Sequence, residues 1–311
     1  MQRFDRITWN PNQMNGQPCI RGMRLTVRRV AEAVALYPNR DDFFRNYPEL
    51  EPEDVRQALA FAAVNPKEGA PQKMLRKVGF FHYGDEHQSD PPGSLRAALT
   101  EASQQEDLSD CLIVAPEAFN IRNGYFSSSP CRDPSIKESL VQISVEFDIA
   151  LVVGLVEEGC AGEPGYNSAY LIDGGVGQLL SMKAGDDGWG SYKAYHQGGW
   201  DKPVLHRGIS IGALICRDAA EFSSPPSERH KTVLEQLRAF KAPHAVLCVP
   251  ARMGVYESKI VAQAWPADLA VVVGNKGCSQ PSLIRPAGQR PDGEPICCNG
   301  ALNEVRTTTL G

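Results

Sequence analysis

From residue 78 to residue 284 one pattern recurs along the chain. A short apolar run of three to eight residues is followed by a longer polar stretch. The runs are 78–83, 111–115, 149–156, 168–172, 209–216, 245–249, 269–274 and 282–284. They are nearly continuous in Val, Ile, Leu, Ala and Phe rather than alternating, which is how strands buried on both faces read. Between them, 95–105, 135–147 and 228–241 carry apolar residues at helical spacing. Alternation of this kind predicts an α/β domain with largely buried strands.

The first 66 residues follow a different pattern. Val27, Val30, Ala31 and Val34 fall on one helical face, with Arg28, Arg29 and Glu32 on others. A short second helix is predicted over 41–47, stopped by Pro48. A third opens at Glu51-Pro52-Glu53-Asp54, with proline and acids in its first turn and Val55, Ala58, Leu59 and Ala62 as its stripe. Asn65-Pro66 ends it. Three short helices with tight turns suit a small all-α, helix-turn-helix-like module over 1–66. Residues 67–74, with Gly69 and Pro71, then read as a linker, leaving 75–311 as the α/β domain.

The chain has 311 residues, of which 22% are charged, with a net charge of −5. That balance argues against nucleic acid as the partner of the whole chain. The module is near neutral, with ten Lys/Arg against nine Asp/Glu over residues 1–70, so its Arg21, Arg24, Arg28 and Arg29 stretch reads as a solvated face and DNA binding is not expected. No apolar run approaches the ~18 residues of a membrane span, and the opening Met1-Gln2-Arg3-Phe4-Asp5-Arg6 does not read as a signal segment. Nine cysteines occur without a Cys-x-x-Cys pair, several inside apolar runs. They read as reduced thiols in a cytoplasmic protein, with neither a disulfide framework nor a zinc site. The six histidines do not cluster at metal spacing and no phosphate-binding glycine motif is present, so neither metal nor cofactor is expected.

Three strand ends carry candidate chemistry. Glu117 follows the run ending Val114-Ala115-Pro116. Lys183 closes the hairpin that begins at Asn167. Cys216 stands in Gly212-Ala213-Leu214-Ile215-Cys216-Arg217-Asp218. A carboxylate, an ammonium and a thiol in one dry pocket form a working set. The carboxylate takes the thiol proton and returns it to a leaving amine. The ammonium favours the thiolate and stabilises an oxyanion. The backbone N–H of Arg217 is a second candidate oxyanion donor. Lys193 is a rival to Lys183, which is preferred because it directly follows the hairpin. Cys248, in a buried run, reads as core. Gly208-Ile209-Ser210-Ile211-Gly212 matches a nucleophile elbow, with Asp218, His230 and His244 as nominal partners, but its apolar residues continue as an extended run rather than turning into a helix.

Two resemblances extend this reading. Asn15-Gly16-Gln17-Pro18-Cys19-Ile20-Arg21-Gly22-Met23-Arg24-Leu25-Thr26-Val27, Tyr47-Pro48-Glu49-Leu50 and Glu53-Asp54-Val55 with Ala58-Leu59 resemble the DUF433 family over residues 5–64, with Met23 where that family has threonine. Its small helical modules are described as antitoxin-like. Residues 76–290 resemble the nitrilase, or carbon–nitrogen hydrolase, superfamily. The resemblance rests on Pro116-Glu117, Lys183 and Leu214-Ile215-Cys216-Arg217-Asp218, supported by Gly154-Leu155-Val156-Glu157, Tyr166-Asn167-Ser168-Ala169, Leu247-Cys248-Val249-Pro250 and Val272-Val273-Gly274-Asn275. It implies an α-β-β-α sandwich, a Glu117–Lys183–Cys216 triad, and Arg217, Asp218 and Asn275 at the oxyanion and substrate. It further implies cofactor-free hydrolysis of an amide, N-carbamoyl or nitrile substrate through a covalent cysteine intermediate, and a homodimer or larger homo-oligomer. Many members carry a second glutamate between lysine and cysteine. This chain has none between Glu163 and Glu221, and Asp186, Asp187 and Asp201 are the carboxylates between Lys183 and Cys216 that could stand in for it. The rival expectation is a regulatory or toxin–antitoxin protein that binds DNA or a protein partner through residues 1–66, with a degenerate hydrolase body.

Overall fold

The computed structural model describes residues 4–8, 13–14, 17–37, 39–64, 74–83, 90–122, 131–132, 135–157, 165–173, 176–184, 200–219, 227–251, 255–276, 282–289, 293–298 and 303–310. The chain divides into two compact units, Met1–Lys73 with Gly174–Val176, and Met74–Asp173 with Gly177–Gly311. All but one residue of the expected linker lies outside the described residues.

The first unit holds three helices, α1 (Val27–Leu36), α2 (Arg40–Asn46) and α3 (Pro52–Val64). Thr26 caps α1 by accepting the Arg29 N–H, and Asn39 caps α2 by accepting that of Asp41. A two-residue antiparallel pair, β1 (Ile7–Thr8) and β2 (Cys19–Ile20), supplements the expected helices. Ile7, Ile20, Val27, Val30, Phe43, Val55, Ala58 and Phe61 form its core. Asp54 is fully buried and accepts from Arg6, Arg21 and the Glu51 N–H. Burial alone would raise its carboxyl, but the Glu51 N–H and the two guanidiniums outweigh this and hold it below the ordinary carboxylate range. Arg21 therefore belongs to a structural ion pair rather than to a free basic face.

The second unit is built on two sheets. In chain order its strands are β3 (Lys77–His82), β4 (Cys111–Val114), β5 (Ile121–Arg122), β6 (Cys131–Arg132), β7 (Ala150–Val156), β8 (Asn167–Asp173), β9 (Val176–Met182), β10 (Trp200–Asp201), β11 (Val204–His206), β12 (Ile209–Ala213), β13 (Ala245–Pro250), β14 (Ala270–Gly274), β15 (Leu283–Arg285), β16 (Ile296–Cys297) and β17 (Glu304–Thr309). One sheet runs β10-β9-β8-β7-β4-β3-β17 and the other β11-β12-β13-β14-β15-β16. Each has a parallel trio at its centre, β3-β4-β7 in the first and β12-β13-β14 in the second. Along β3 and β4 the two faces separate with period two. Val78, Phe80, Leu112 and Val114 join the inner core with residues of the second sheet, such as Ile211, Val246 and Val272. Phe81, Cys111 and Ile113 face the other way and pack on Leu95 and Leu99 of α4 (Pro91–Ser103) and on Ile136, Leu140 and Ile143 of α5 (Ser135–Phe147). Leu237 of α6 (Glu228–Ala239) and Val261 and Ala262 of α7 (Val255–Ala264) pack against the second sheet. The result is the expected α-β-β-α sandwich.

Several elements depart from the sequence pattern. α4 starts at Pro91, four residues before its apolar stripe, because Asp90 caps it by accepting the Gly93 N–H and proline fits a first turn. The run expected as strand through 216 leaves the sheet at Ala213, and Cys216 opens a 3₁₀ turn, Cys216–Ala219. β17 carries the polar sequence Glu-Val-Arg-Thr-Thr-Thr and is legible only as the antiparallel partner of β3.

Candidate active site

Glu117 sits just beyond β4, in a segment held against β7. Gly154 N–H donates to the Pro116 carbonyl and Phe119 N–H to that of Gly154. Asn120 exchanges two hydrogen bonds with the Val156 backbone, at 2.8 and 2.9 Å. The approach is close enough to require glycine: a Cβ on Gly154 would stand 2.6 Å from Glu117 Cα.

Lys183 follows the last residue of β9. Its backbone N–H donates to the Asn167 carbonyl at 2.9 Å. Its Nζ donates to Glu117 Oε2 at 3.0 Å across 66 residues of sequence, and both side chains are buried. Asn167 Nδ2 donates to the same oxygen at 3.1 Å. A carboxylate and an ammonium removed from water are costly unless well paired and hydrogen-bonded; this pair has both kinds of support.

Cys216 lies beyond β12 with φ of +52° and is 5% exposed. Left-handed backbone at a non-glycine residue is strained and persists only where the surroundings over-determine it. The surroundings here are specific. His230 Nε2 bonds the Asp218 carbonyl at 2.7 Å and stacks edge-on against Trp265, whose indole N–H reaches the Ala219 carbonyl. The Asp218 carboxylate accepts the Ala184 N–H at 2.7 Å, tying the cysteine turn to the residue after Lys183. Glu117, Lys183 and the Cys216 turn are thus joined by an ion pair and one backbone bond.

The other expected residues fall as follows. The Arg217 backbone is in the 3₁₀ turn. Asp218 is buried and also accepts from Arg229 at 2.7 Å, which makes it a brace of the turn. Asn275, just past β14, is fully buried, with its amide bonded to Ser258 and to the Lys276 N–H. Lys193, Asp186 and Asp187 lie outside the described residues. Asp201 has both oxygens engaged, by Arg229 and by Ser181. Ser210 is buried mid-strand with its hydroxyl on the Leu237 carbonyl, so the Gly208–Gly212 motif is no elbow.

Two residues were missed by sequence reasoning alone. Asn167 is a scaffold for both Glu117 and Lys183. Arg229 bonds Asp201, Asp218 and the Met182 carbonyl. Burial alone would lower its pKa, but the two carboxylates outweigh this and raise it. A signal existed: Arg229 stands in the first turn of α6, where the helix dipole disfavours a cation unless it has an anionic partner.

Among the remaining thiols, burial pushes Cys111 up to about 12 and raises Cys19, Cys248 and Cys297 above the ordinary thiol range. No cluster of metal-ligating side chains and no helix long and apolar enough to cross a membrane occurs among the described residues.

Comparison with known proteins bears on the fold. Residues 7–62 match the family model DUF433, described as a protein of unknown function. No curated protein matches the chain. Among solved structures, the amidase from Nesterenkonia sp. AN1 in complex with acrylamide is similar at a TM-score of 0.52 and 18% identity, covering 78% of this chain and 93% of that one. A cysteine-to-serine mutant of the same amidase, described as from the nitrilase superfamily, gives 0.53 and 18% identity, covering 76% and 92%. Nit3 of Saccharomyces cerevisiae, a member of branch 10 of the nitrilase superfamily, gives 0.52 and 15% identity, covering 78% and 93%. The chain therefore carries a carbon–nitrogen hydrolase fold of the nitrilase type together with a DUF433-like segment.

Proposed function

We propose that the second unit hydrolyses non-peptide carbon–nitrogen bonds, with amides as the favoured substrates, using Cys216 as nucleophile, Glu117 as general base and acid, and Lys183 as electrostatic stabiliser. The observation that carries this reading is the buried Glu117–Lys183 pair, hydrogen-bonded by Asn167 and tied through Asp218 to a strained cysteine. Glu117 takes the thiol proton as sulfur attacks the amide carbon. The Lys183 ammonium and the Arg217 backbone N–H stabilise the tetrahedral oxyanion. Collapse expels the amine, which takes its proton from Glu117 and leaves a thioester on Cys216. Water, deprotonated by Glu117, attacks that thioester and releases the acid while the thiol regains its proton. A nitrile would enter the same cycle through a thioimidate.

The amidase among the fold neighbours supports this choice of substrate. A glutamate-to-glutamine mutant of that Nesterenkonia amidase carries the product of Michael addition of acrylamide at its active-site cysteine, which supports a reactive thiol. The deciding experiment incubates the full chain with acrylamide and, separately, with iodoacetamide, follows ammonia release and intact mass, and maps the adduct. Ammonia release with adduct at Cys216 is expected. Adduct at Cys248 or Cys278 in its place, with no ammonia, overturns the reading. Residues 7–62 contain none of the proposed catalytic residues; we assign them to contact with a protein partner and expect the chain to self-associate, which size measurement would test.

A further inference from the structure

We propose that Arg229, acting through Asp218, is a positioning residue that sets the separation between Lys183 and the Cys216 nucleophile. This inference rests on the hydrolase reading above and goes beyond it to what holds the lysine and the thiol in register.

The argument starts from the backbone on either side of Lys183. The Met182 carbonyl accepts from Arg229 Nη2 at 3.1 Å. The Ala184 N–H donates to Asp218 Oδ2 at 2.7 Å, and that same oxygen accepts from Arg229 Nη1 at 2.7 Å. Both neighbours of Lys183 are thus tied to one guanidinium, directly on one side and through one carboxylate on the other. Asp218 is two residues after Cys216, inside the same 3₁₀ turn. A second carboxylate fixes the guanidinium itself. Asp201 accepts from Nε at 2.6 Å and from Nη2 at 2.9 Å, the parallel fork that only arginine makes, and Ser181 donates to it from β9.

Glu117 cannot set this separation. It holds the Lys183 ammonium from the first sheet, through the tip of a long flexible side chain. The Arg229–Asp218 pair holds the lysine backbone instead, and against the element that bears the nucleophile. Loss of Arg229 would take from the buried Asp218 and the partly buried Asp201 the guanidinium they share, which favours movement of the turn away from β9.

The test uses the full-length protein in a double-mutant cycle read on the thiol. The second-order rate of Cys216 alkylation by iodoacetamide is measured by intact mass and peptide mapping in wild type, Lys183→Met, Arg229→Gln and the double variant, with ammonia release from acrylamide alongside. Lys183→Met is expected to slow alkylation about tenfold in wild type, because the ammonium no longer favours the thiolate. In the Arg229→Gln background the same change is expected to cost less than twofold, because lysine and thiol are no longer in register. Asp218→Leu, of similar size but unable to accept from either Ala184 or Arg229, is expected to shrink the Lys183 effect as well, and carries the test if circular dichroism shows Arg229→Gln unfolded. A merely structural Arg229 would lower the melting temperature and leave the Lys183 factor unchanged; an equal factor in both backgrounds overturns the inference while leaving the hydrolase reading in place. A wild type that neither releases ammonia nor alkylates at Cys216, or one whose alkylation is indifferent to Lys183, overturns both.

Discussion

Glu117 and His82 show how burial acts on single residues with opposite consequences. Glu117 is paired when buried, so its replacement is read on kcat in protein that circular dichroism shows folded. Glu117→Gln preserves size and one acceptor oxygen but removes the charge facing the Lys183 ammonium, so kcat for acrylamide is expected to fall ~10²-fold or more and the melting temperature to fall with it. A variant that keeps wild-type turnover would remove Glu117 from the mechanism. His82 on β3 is buried, with Nδ1 bonded to Ser282 Oγ at 3.1 Å and Nε2 without a hydrogen-bond partner among the described residues. Burial lowers its pKa to about 4. The folded state therefore holds a neutral imidazole where the unfolded chain binds a proton below about pH 6.5. Its contribution is whole above that pH and shrinks as pH falls toward 4, by about 3 kcal/mol at most. Denaturant unfolding at pH 7 and pH 4.5 should show a steeper loss in wild type than in His82→Gln; equal losses would refute the assignment.

At the scale of elements, two contacts between strand ends bring the first sheet's chemistry against the second. A Cβ on Gly154 of β7 would meet Glu117 Cα at 2.6 Å and Pro250 Cβ, at the end of β13, at 3.3 Å. A Cβ on Gly274 of β14 would meet the Val114 carbonyl oxygen of β4 at 2.3 Å. Backbone atoms cannot yield as a flexible side chain does. Gly154→Ala is therefore expected to cost about 1–3 kcal/mol in stability. It should also lower kcat at least tenfold by displacing the Glu117 segment. Urea unfolding and acrylamide turnover check both, and a fully active Gly154→Ala would show that the segment tolerates displacement. The seven-residue buried run of β7 and the helical stripe of α5 were readable from sequence, since each declares its period within its own residues. β17 was not, because a half-buried edge strand of Thr and Arg has no apolar signature until β3 supplies its partner.

On the scale of the whole molecule, the described residues form three hydrophobic clusters that share no residue, one in the first unit and two in the second. Asp54 anchors the first through Arg6 and Arg21. Asp54→Ala removes the buried acceptor shared by Arg6, Arg21 and the Glu51 N–H, leaving Glu51 to pair with both guanidiniums, and is expected to destabilise that unit. Acrylamide turnover should be unchanged, and calorimetry should show the first unit melting earlier while the second holds its midpoint. A fragment beginning at Met74 should likewise fold and keep its activity; an insoluble or inactive fragment would show that the first unit completes the second. The sequence by itself determined the α/β class, the helical first unit, and that Glu117, Lys183 and Cys216 follow strands, because periodicity and local motifs are properties of neighbouring residues. Only the tertiary structure decided that Glu117 and Lys183 form a buried pair 66 residues apart, that Asn167 supports it, and that Arg229 joins the lysine strand to the cysteine turn. Those choices rest on where separate strands end in space, and on buried charges that must find partners once water is excluded, which no local pattern along the chain records.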